Sequence, residues 1–245
     1  MLRTLLLLVV AIPASAVTAT LVALIGLLKS SARPIDWLIR HWARLCLAAA
    51  GIELVVEGAE KLDPARRYVL VANHASYLDI PVLFVAIPQP LRFFAKRSLF
   101  QIPIFGWGLK ASGFIPIDRK KRSRNVASFD LATSRIEKGN SIVIFPEEGR
   151  SRAPQMRPFK RGAFLLALKS ELPLVPAAIA GTWDVLPATR SSVRPGKVLV
   201  RIADPIETAD LSIRQKDELM RGARARIAEM LVGTSQEQRP EAEEA

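Results

Sequence analysis

Apolar residues run from Thr4 to Leu28 without one charged side chain, and beyond Gly51 the pattern changes to short apolar runs separated by longer segments of helical spacing. The first run predicts a helix of 25 residues, roughly 37 Å long, enough to cross a hydrocarbon core of about 30 Å. Arg3 alone precedes it, whereas Lys29, Arg33, Arg40 and Arg44 follow. That asymmetry places the rest of the chain on the cytoplasmic side of the cytoplasmic membrane. Ala14-Ser15-Ala16 resembles a signal-peptide cleavage site, but the apolar run continues past it and favours an anchor. Pro13 leaves a tilted or half-inserted helix open. The next stretch, 35–51, mixes Trp37, Trp42 and leucines with Arg40 and Arg44. It reads either as an interfacial helix, with basic residues towards lipid phosphates, or as a core helix with a charged outer face.

The short runs predict strands at Ile52–Val56, Tyr68–Ala72, Leu91–Ala95, Phe114–Ile117, Ser141–Phe145, Leu174–Ile179 and Val198–Ile202. Helical spacing predicts helices at Tyr77–Ala86, Leu99–Ala111, Asn125–Lys138, Gly162–Leu168 and Ile213–Leu231. Alternation of the two implies an α/β domain, a sheet covered by helices, preceded by the membrane helix and the interfacial helix. The chain thus divides into 1–50, membrane-anchoring and interfacial helices; 51–232, the α/β domain; and 233–245, an acidic tail expected to be disordered.

Composition sharpens the partner. Lys plus Arg number 35 against 23 Asp plus Glu, a net charge of +12, so an anionic partner is expected. Half of the residues are hydrophobic, which points to a lipid bilayer rather than nucleic acid. The single Cys46 cannot form an internal disulfide.

The candidate chemistry begins at "VLVANHASYLDIP", residues 69–81, where an apolar strand runs into Asn73, His74, Ser76 and Asp79. Ligands of α/β sheets gather at the carboxyl ends of strands. If the chain turns helical near Ser76, Asp79 can bend back to His74. A carboxylate on one ring nitrogen fixes the tautomer and leaves the other free to take a proton. The structural alternative is a histidine bonded to backbone, with Asp79 stabilising a helix N-terminus. Ser76 as a hydrolase nucleophile is disfavoured because no G-x-S-x-G turn occurs. A zinc site is disfavoured because no ligand cluster has the spacing.

Three more patches follow in order: "GFIPIDR" (113–119), "FPEEGRS" (145–151) and "PLVPAAIAG" (173–181). The first two place an arginine at a strand exit, where its planar fork suits phosphate oxygens. Pro176 inside the third suggests a sheet edge or irregular pairing.

The ordered set resembles the glycerolipid acyltransferases, the lysophosphatidic acid acyltransferase group in particular. Their first motif, N-H-x-S-x-x-D, is matched by Asn73, His74, Ser76 and Asp79. Gly113 to Arg119 is similar to the second, and Val175-Pro176 to the fourth. The third motif, F-P-E-G-T-R-S, has Phe145, Pro146, Glu147, Arg150 and Ser151 in register, with Glu148 and Gly149 in place of the family's Gly and Thr. The resemblance covers about residues 50–205.

It implies transfer of a fatty acyl group from an acyl carrier protein or coenzyme A thioester to a lysophospholipid hydroxyl, with neither metal nor resident cofactor. His74, oriented by Asp79, would be the general base. Arg119 and Arg150 would hold the acceptor's phosphate and Glu147 would order that pocket, with Gly149 and Ser151 in the same loop. Lys96 would be a further contact to phosphate or carrier. The basic run "RKKRSR" (119–124) could dock anionic headgroups or an acidic carrier protein. A lyso-ornithine lipid is the competing acceptor, and a non-catalytic protein binding anionic lipid is the competing class.

Overall fold

The computed structural model describes residues 2–28, 32–118 and 125–235. All seven predicted strands are present, their ends moved by one or two residues: β1 (Ile52–Glu57), β2 (Val69–Ala72), β3 (Leu91–Lys96), β4 (Ile115–Ile117), β5 (Ser141–Ile144), β6 (Leu174–Ala180) and β7 (Gly196–Ile202). They form one sheet in the order β1-β7-β6-β2-β5-β3-β4. The five from β6 to β4 run parallel, and β7 pairs with β6 antiparallel and carries β1 beside it. The helices are α1 (Leu2–Leu27), α2 (Ala32–Ala50), α3 (Asp79–Ala86), α4 (Phe105–Ala111), α5 (Asn125–Glu137), α6 (Gly162–Ser170), α7 (Thr182–Val185) and α8 (Lys216–Met230).

Both faces of the sheet are covered, which is why its central strands read as unbroken apolar runs. On β2, Leu70 and Ala72 join a core with α1, α2 and α3, while Val69 and Val71 join a second core with α5, α6 and α8. Each fully buried Leu or Val contributes about 1.5–3 kcal/mol. The parallel strands all empty at one edge, so the loops after β2 and β5, which are neighbours, meet there.

Three expectations change. The helix expected over Leu99–Ala111 is a 3-10 turn at Arg97–Gln101 followed by α4 from Phe105. Pro103 disfavours helical backbone at Ile102, which is extended (φ −72, ψ 121), and so separates them. α3 begins at Asp79, two residues later than expected, because 73–76 form an irregular loop and 77–78 a turn that leads into the helix. Pro176 lies in a central strand and not at an edge; it sits one residue before the β6–β7 ladder opens at Ala177, and its carbonyl accepts from Ala203 N at 2.9 Å. A position without its N–H is tolerated where that ladder is starting.

The two N-terminal helices pack on the α/β domain. Trp42 Nε1 donates to Ser15 Oγ at 2.9 Å, joining α2 to the middle of α1. By length and composition α1 could cross a membrane, yet both its ends rest on the domain. Near the start, Thr4 Oγ1 accepts from Val193 N at 2.9 Å. Near the other end, Gly26 lies against Ala111 so closely that a Cβ would stand 2.8 Å from that side chain. Gly108 of α4 meets the Ala19 backbone in the same way. Leu5, Leu8, Val9, Ile12, Val17 and Leu24 remain exposed on the opposite side of α1.

α2 has the core face that its sequence allowed. Ile35, Ile39, Ala43, Leu47 and Ala50 form a buried stripe, whereas Trp37 and Leu45 are exposed. Arg40 does not reach outwards to phosphates. Its guanidinium donates to the carbonyls of Phe84, Ile87, Pro88 and Gln89 at 2.6–2.8 Å, closing the C-terminal end of α3. The tail residues 233–235 belong to a turn in which Ser235 bonds Asp184, and the remainder of the predicted tail lies outside the described residues.

Candidate active site

The first loop is built from the end of β2. Asn73 extends that strand with its side chain: Nδ2 donates to Ile179 O and Oδ1 accepts from Ile179 N, both at 2.8 Å. His74 therefore leaves the sheet from a fixed point. Its Nδ1 donates to Asp79 Oδ2 at 2.8 Å, and the same oxygen accepts from Ala75 N and Ser76 N at 2.8 and 2.9 Å. Asp79 is fully buried. Three donors on one oxygen pin the carboxylate, and the carboxylate pins the ring. With Nδ1 donating, Nε2 carries the lone pair, and it makes no hydrogen bond among the described residues. Phe145 stacks on the imidazole, centroids 4.0 Å apart and planes 12° apart, so only 8 % of His74 is exposed.

Ser76 lies two residues away but faces inward. It is fully buried, its hydroxyl donates to Leu186 O at 2.6 Å and accepts from Leu78 N at 3.2 Å. It shapes the turn that brings Asp79 back to His74.

The second loop follows β5 and grips the first by its backbone. Glu147 Oε1 accepts from His74 N at 2.8 Å, and Oε2 accepts from Arg157 N at 2.8 Å. Ser151 N donates to His74 O at 2.7 Å. Both backbone groups of His74 are thus held by this one loop. Glu147 is 2 % exposed, and burial pushes its carboxyl up to about 7 against the pull of the two backbone N–H groups, with Asp79 adding to the rise. The Ser151 hydroxyl is engaged within its own loop, donating to Gln155 O and accepting from Ala153 N. Glu148 has φ +55, a left-handed conformation that costs a non-glycine residue about 1 kcal/mol. The backbone N–H groups of Gly149 and Arg150 make no hydrogen bond among the described residues, which leaves two donors for an anionic oxygen.

Arg150 reaches back over the first loop. Its Cζ lies 3.5 Å from the centroid of the Tyr77 ring, a stacked cation–π contact. Lys96 closes β3 and is exposed, two strand positions from β2, or about 10 Å. Arg119 lies outside the described residues, as does the whole basic run 119–124. The structure therefore brings together His74, Asp79, Glu147, Gly149, Arg150 and Ser151, and leaves Lys96 further along the same sheet edge.

Comparison with known proteins bears on this arrangement. The acyltransferase family profile matches residues 53–180, which hold both loops and just over half of the chain. The chain belongs to the acyltransferase family. Among related acyltransferases, the 1-acyl-sn-glycerol-3-phosphate acyltransferase of Chlamydomonas reinhardtii is 32 % identical over 82 % of this chain and 60 % of its own length. The protein of that name from Saccharomyces cerevisiae is 32 % identical over 74 % of this chain and 60 % of its own length. A chloroplastic one from Brassica napus is 33 % identical over 72 % of this chain and 50 % of its own. The chain thus spans about 50–60 % of the length of these relatives. The acyltransferase fold described above is similar to the crystal structure of the 1-acyl-sn-glycerophosphate (LPA) acyltransferase PlsC from Thermotoga maritima, with a TM-score of 0.77, 25 % identity, and 91 % of this chain and 94 % of that chain covered.

Sequence reasoning missed Phe145 and Tyr77 as partners of His74 and Arg150. Phe145 belongs to the strand run and Tyr77 to a variable position of the first motif, so neither carries a signal of its role. The Glu147 contact to the His74 backbone was equally hidden, because a carboxylate 73 residues away pairs with a main-chain group only after β2 and β5 align.

Proposed function

We propose that this acyltransferase moves a fatty acyl group from an acyl carrier protein or coenzyme A thioester to the free hydroxyl of 1-acyl-sn-glycerol-3-phosphate, giving phosphatidic acid. The observation that carries this reading is the His74–Asp79 pair at 2.8 Å with Nε2 open, in a loop held from its neighbour by Glu147. The relatives' names supply the acceptor.

In this reading Nε2 takes the acceptor's hydroxyl proton as that oxygen attacks the thioester carbonyl. The new ester bond forms, the carbon–sulfur bond breaks, and the imidazolium returns the proton to the leaving thiolate. Asp79 stabilises the imidazolium, and the amides of Gly149 and Arg150 are the nearest unengaged donors for the tetrahedral oxyanion. Arg150, stacked on Tyr77, meets the acceptor's phosphate, with Arg119 and Lys96 as further cations. Ser76 takes no covalent part, in keeping with its buried, doubly bonded hydroxyl.

An apolar cavity of about 150 Å³ beside α3, lined by Val22, Ile39, Ile80, Phe84, Ala95 and Leu109, is assigned to an acyl chain. The exposed apolar side of α1 is assigned to the bilayer. Because both ends of α1 rest on the domain, it lies in one leaflet and does not span. The acceptor then never leaves lipid, which would cost about 0.8 kcal/mol per methylene.

Acyl transfer by the detergent-solubilised full chain tests this, with lysophosphatidic acid and lyso-ornithine lipid offered together. Label in phosphatidic acid supports the reading. Label in ornithine lipid alone keeps the mechanism and replaces the acceptor. An acyl adduct on Ser76 would contradict direct transfer.

A further inference from the structure

A second cavity, of about 320 Å³, lies at the β4 edge of the sheet between the 3-10 turn Arg97–Gln101, α4 and α5. Arg97, Lys110 and Arg135 line it, no acidic side chain among the described residues does, and Phe100, Phe114 and Leu131 give it apolar walls. None of the described residues placed in the active site lines it. β4 stands three strand positions from β2, about 14 Å away.

Among the described residues no ion pair compensates the charges in this cavity. Nε of Arg97 and Nε of Arg135 are each buried with no hydrogen-bond partner among the described residues. Arg92, on the neighbouring strand, has its own counter-ion in Asp36 at 2.7 Å. Arg135 has none among the described residues, and burial, with the charge of Arg92 added, pushes its guanidinium down. Gly113, at φ +80, leaves the room for this crowding: a Cβ there would stand 3.1 Å from Arg135 Nε and 3.2 Å from Arg92 Nε. Buried donors of like charge are costly unless a partner completes them, and an unsatisfied pair of them calls for a missing water or ion.

We infer that this cavity binds the phosphate headgroup of an anionic phospholipid, at a site separate from the one that holds the acceptor. Charge complementarity selects the phosphate, and the surroundings select a lipid as its bearer. Between Arg97 and Lys110 the chain exposes Ile102, Ile104 and Trp107. Trp107 and Lys110 are three residues apart on α4 and share a face, the apolar-then-basic order of a segment at a membrane interface. The same α4 packs on α1 through Gly108 and Ala19, so the cavity is carried on the helix that seats α1, whose other side is assigned to the bilayer. The choice of lipid over a soluble anion rests on that assignment. A headgroup held here fixes the tilt of the sheet against the membrane plane and so the height of His74 above the lipid.

Native mass spectrometry of the full chain in detergent tests the site without using catalysis. The probe is phosphatidylglycerol in competition with phosphatidylcholine of the same acyl chains. Wild type is expected to retain one phosphatidylglycerol in preference. Arg97→Gln with Arg135→Gln is expected to bind it about tenfold or more weakly, and Lys110→Gln, an exposed change that spares the fold, to weaken it less. Arg214→Gln with Arg221→Gln removes the same charge elsewhere and is expected to keep the preference. Equal losses in the two pairs would overturn the site in favour of general surface attraction. Displacement of the lipid by inorganic phosphate at equal concentration would overturn the lipid assignment, as would preferential retention of an acidic acyl carrier protein that needs Arg97 and Arg135. No retained lipid in wild type would overturn the site while leaving the proposed transfer reaction intact.

Discussion

The Glu147 carboxylate holds His74 by its backbone N–H, at 2.8 Å, and not by its ring. Its other oxygen holds Arg157 N at the same distance, so one side chain ties the loop after β2 to the far limb of the loop after β5. The third motif thereby sets where His74 stands, and Arg150, four residues after Pro146, is carried on the same loop.

In the proposed reaction Glu147 acts as a positioning residue. Glu147→Gln keeps one acceptor and loses the other, and Glu147→Ala orphans two buried N–H groups at about 1–3 kcal/mol each. The expected kinetics are a fall in kcat of about tenfold or more for Gln with KM for the acceptor little changed. A rise in KM at constant kcat would instead place Glu147 on the substrate.

The same carboxyl carries a pH signature. An unfolded glutamate titrates near 4.5 and this one near 7, so between those values the folded chain binds the extra proton. Stability from this group is complete below pH 4.5 and is lost as pH rises through about 7, a loss of about 3 kcal/mol. The advantage of wild type over Glu147→Gln in denaturant unfolding should therefore shrink from pH 5 to pH 8. An advantage independent of pH would contradict the buried, proton-binding carboxyl.

Arg150 needs the Tyr77 ring beneath it. Tyr77→Leu should raise KM for lysophosphatidic acid about threefold to tenfold, the worth of a partly exposed cation–π contact, while Tyr77→Phe leaves it unchanged. Equal effects of the two would assign the role to the hydroxyl.

Ala95 lines the cavity beside α3. Ala95→Met should move donor preference towards shorter acyl chains, with each excluded methylene forfeiting about 0.8 kcal/mol, or about fourfold. A uniform loss across chain lengths would place the acyl chain elsewhere.

Much of this was legible in the sequence because parallel strands buried on both faces announce themselves as apolar runs, and because Asn73, His74, Ser76 and Asp79 fall at the end of one. The spacing of His74 and Asp79 already allowed a hydrogen bond within a single turn, since the contact is local. Arg40 was misjudged for the opposite reason: its partners are carbonyls 44–49 residues away, and a cation beside tryptophans looks interfacial until α3 is placed. The lie of α1 was hidden too. Its composition is that of a spanning helix, and only Gly26 against Ala111 and Thr4 against Val193 show both ends on one body.

The most direct test of the account is the rate of acyl transfer to lysophosphatidic acid by His74→Ala beside wild type, both with the same thermal unfolding midpoint. Loss of a general base predicts a fall of at least about 100-fold in kcat with acceptor binding retained. Transfer within a few-fold of wild type by folded His74→Ala would contradict the role given to the His74–Asp79 pair.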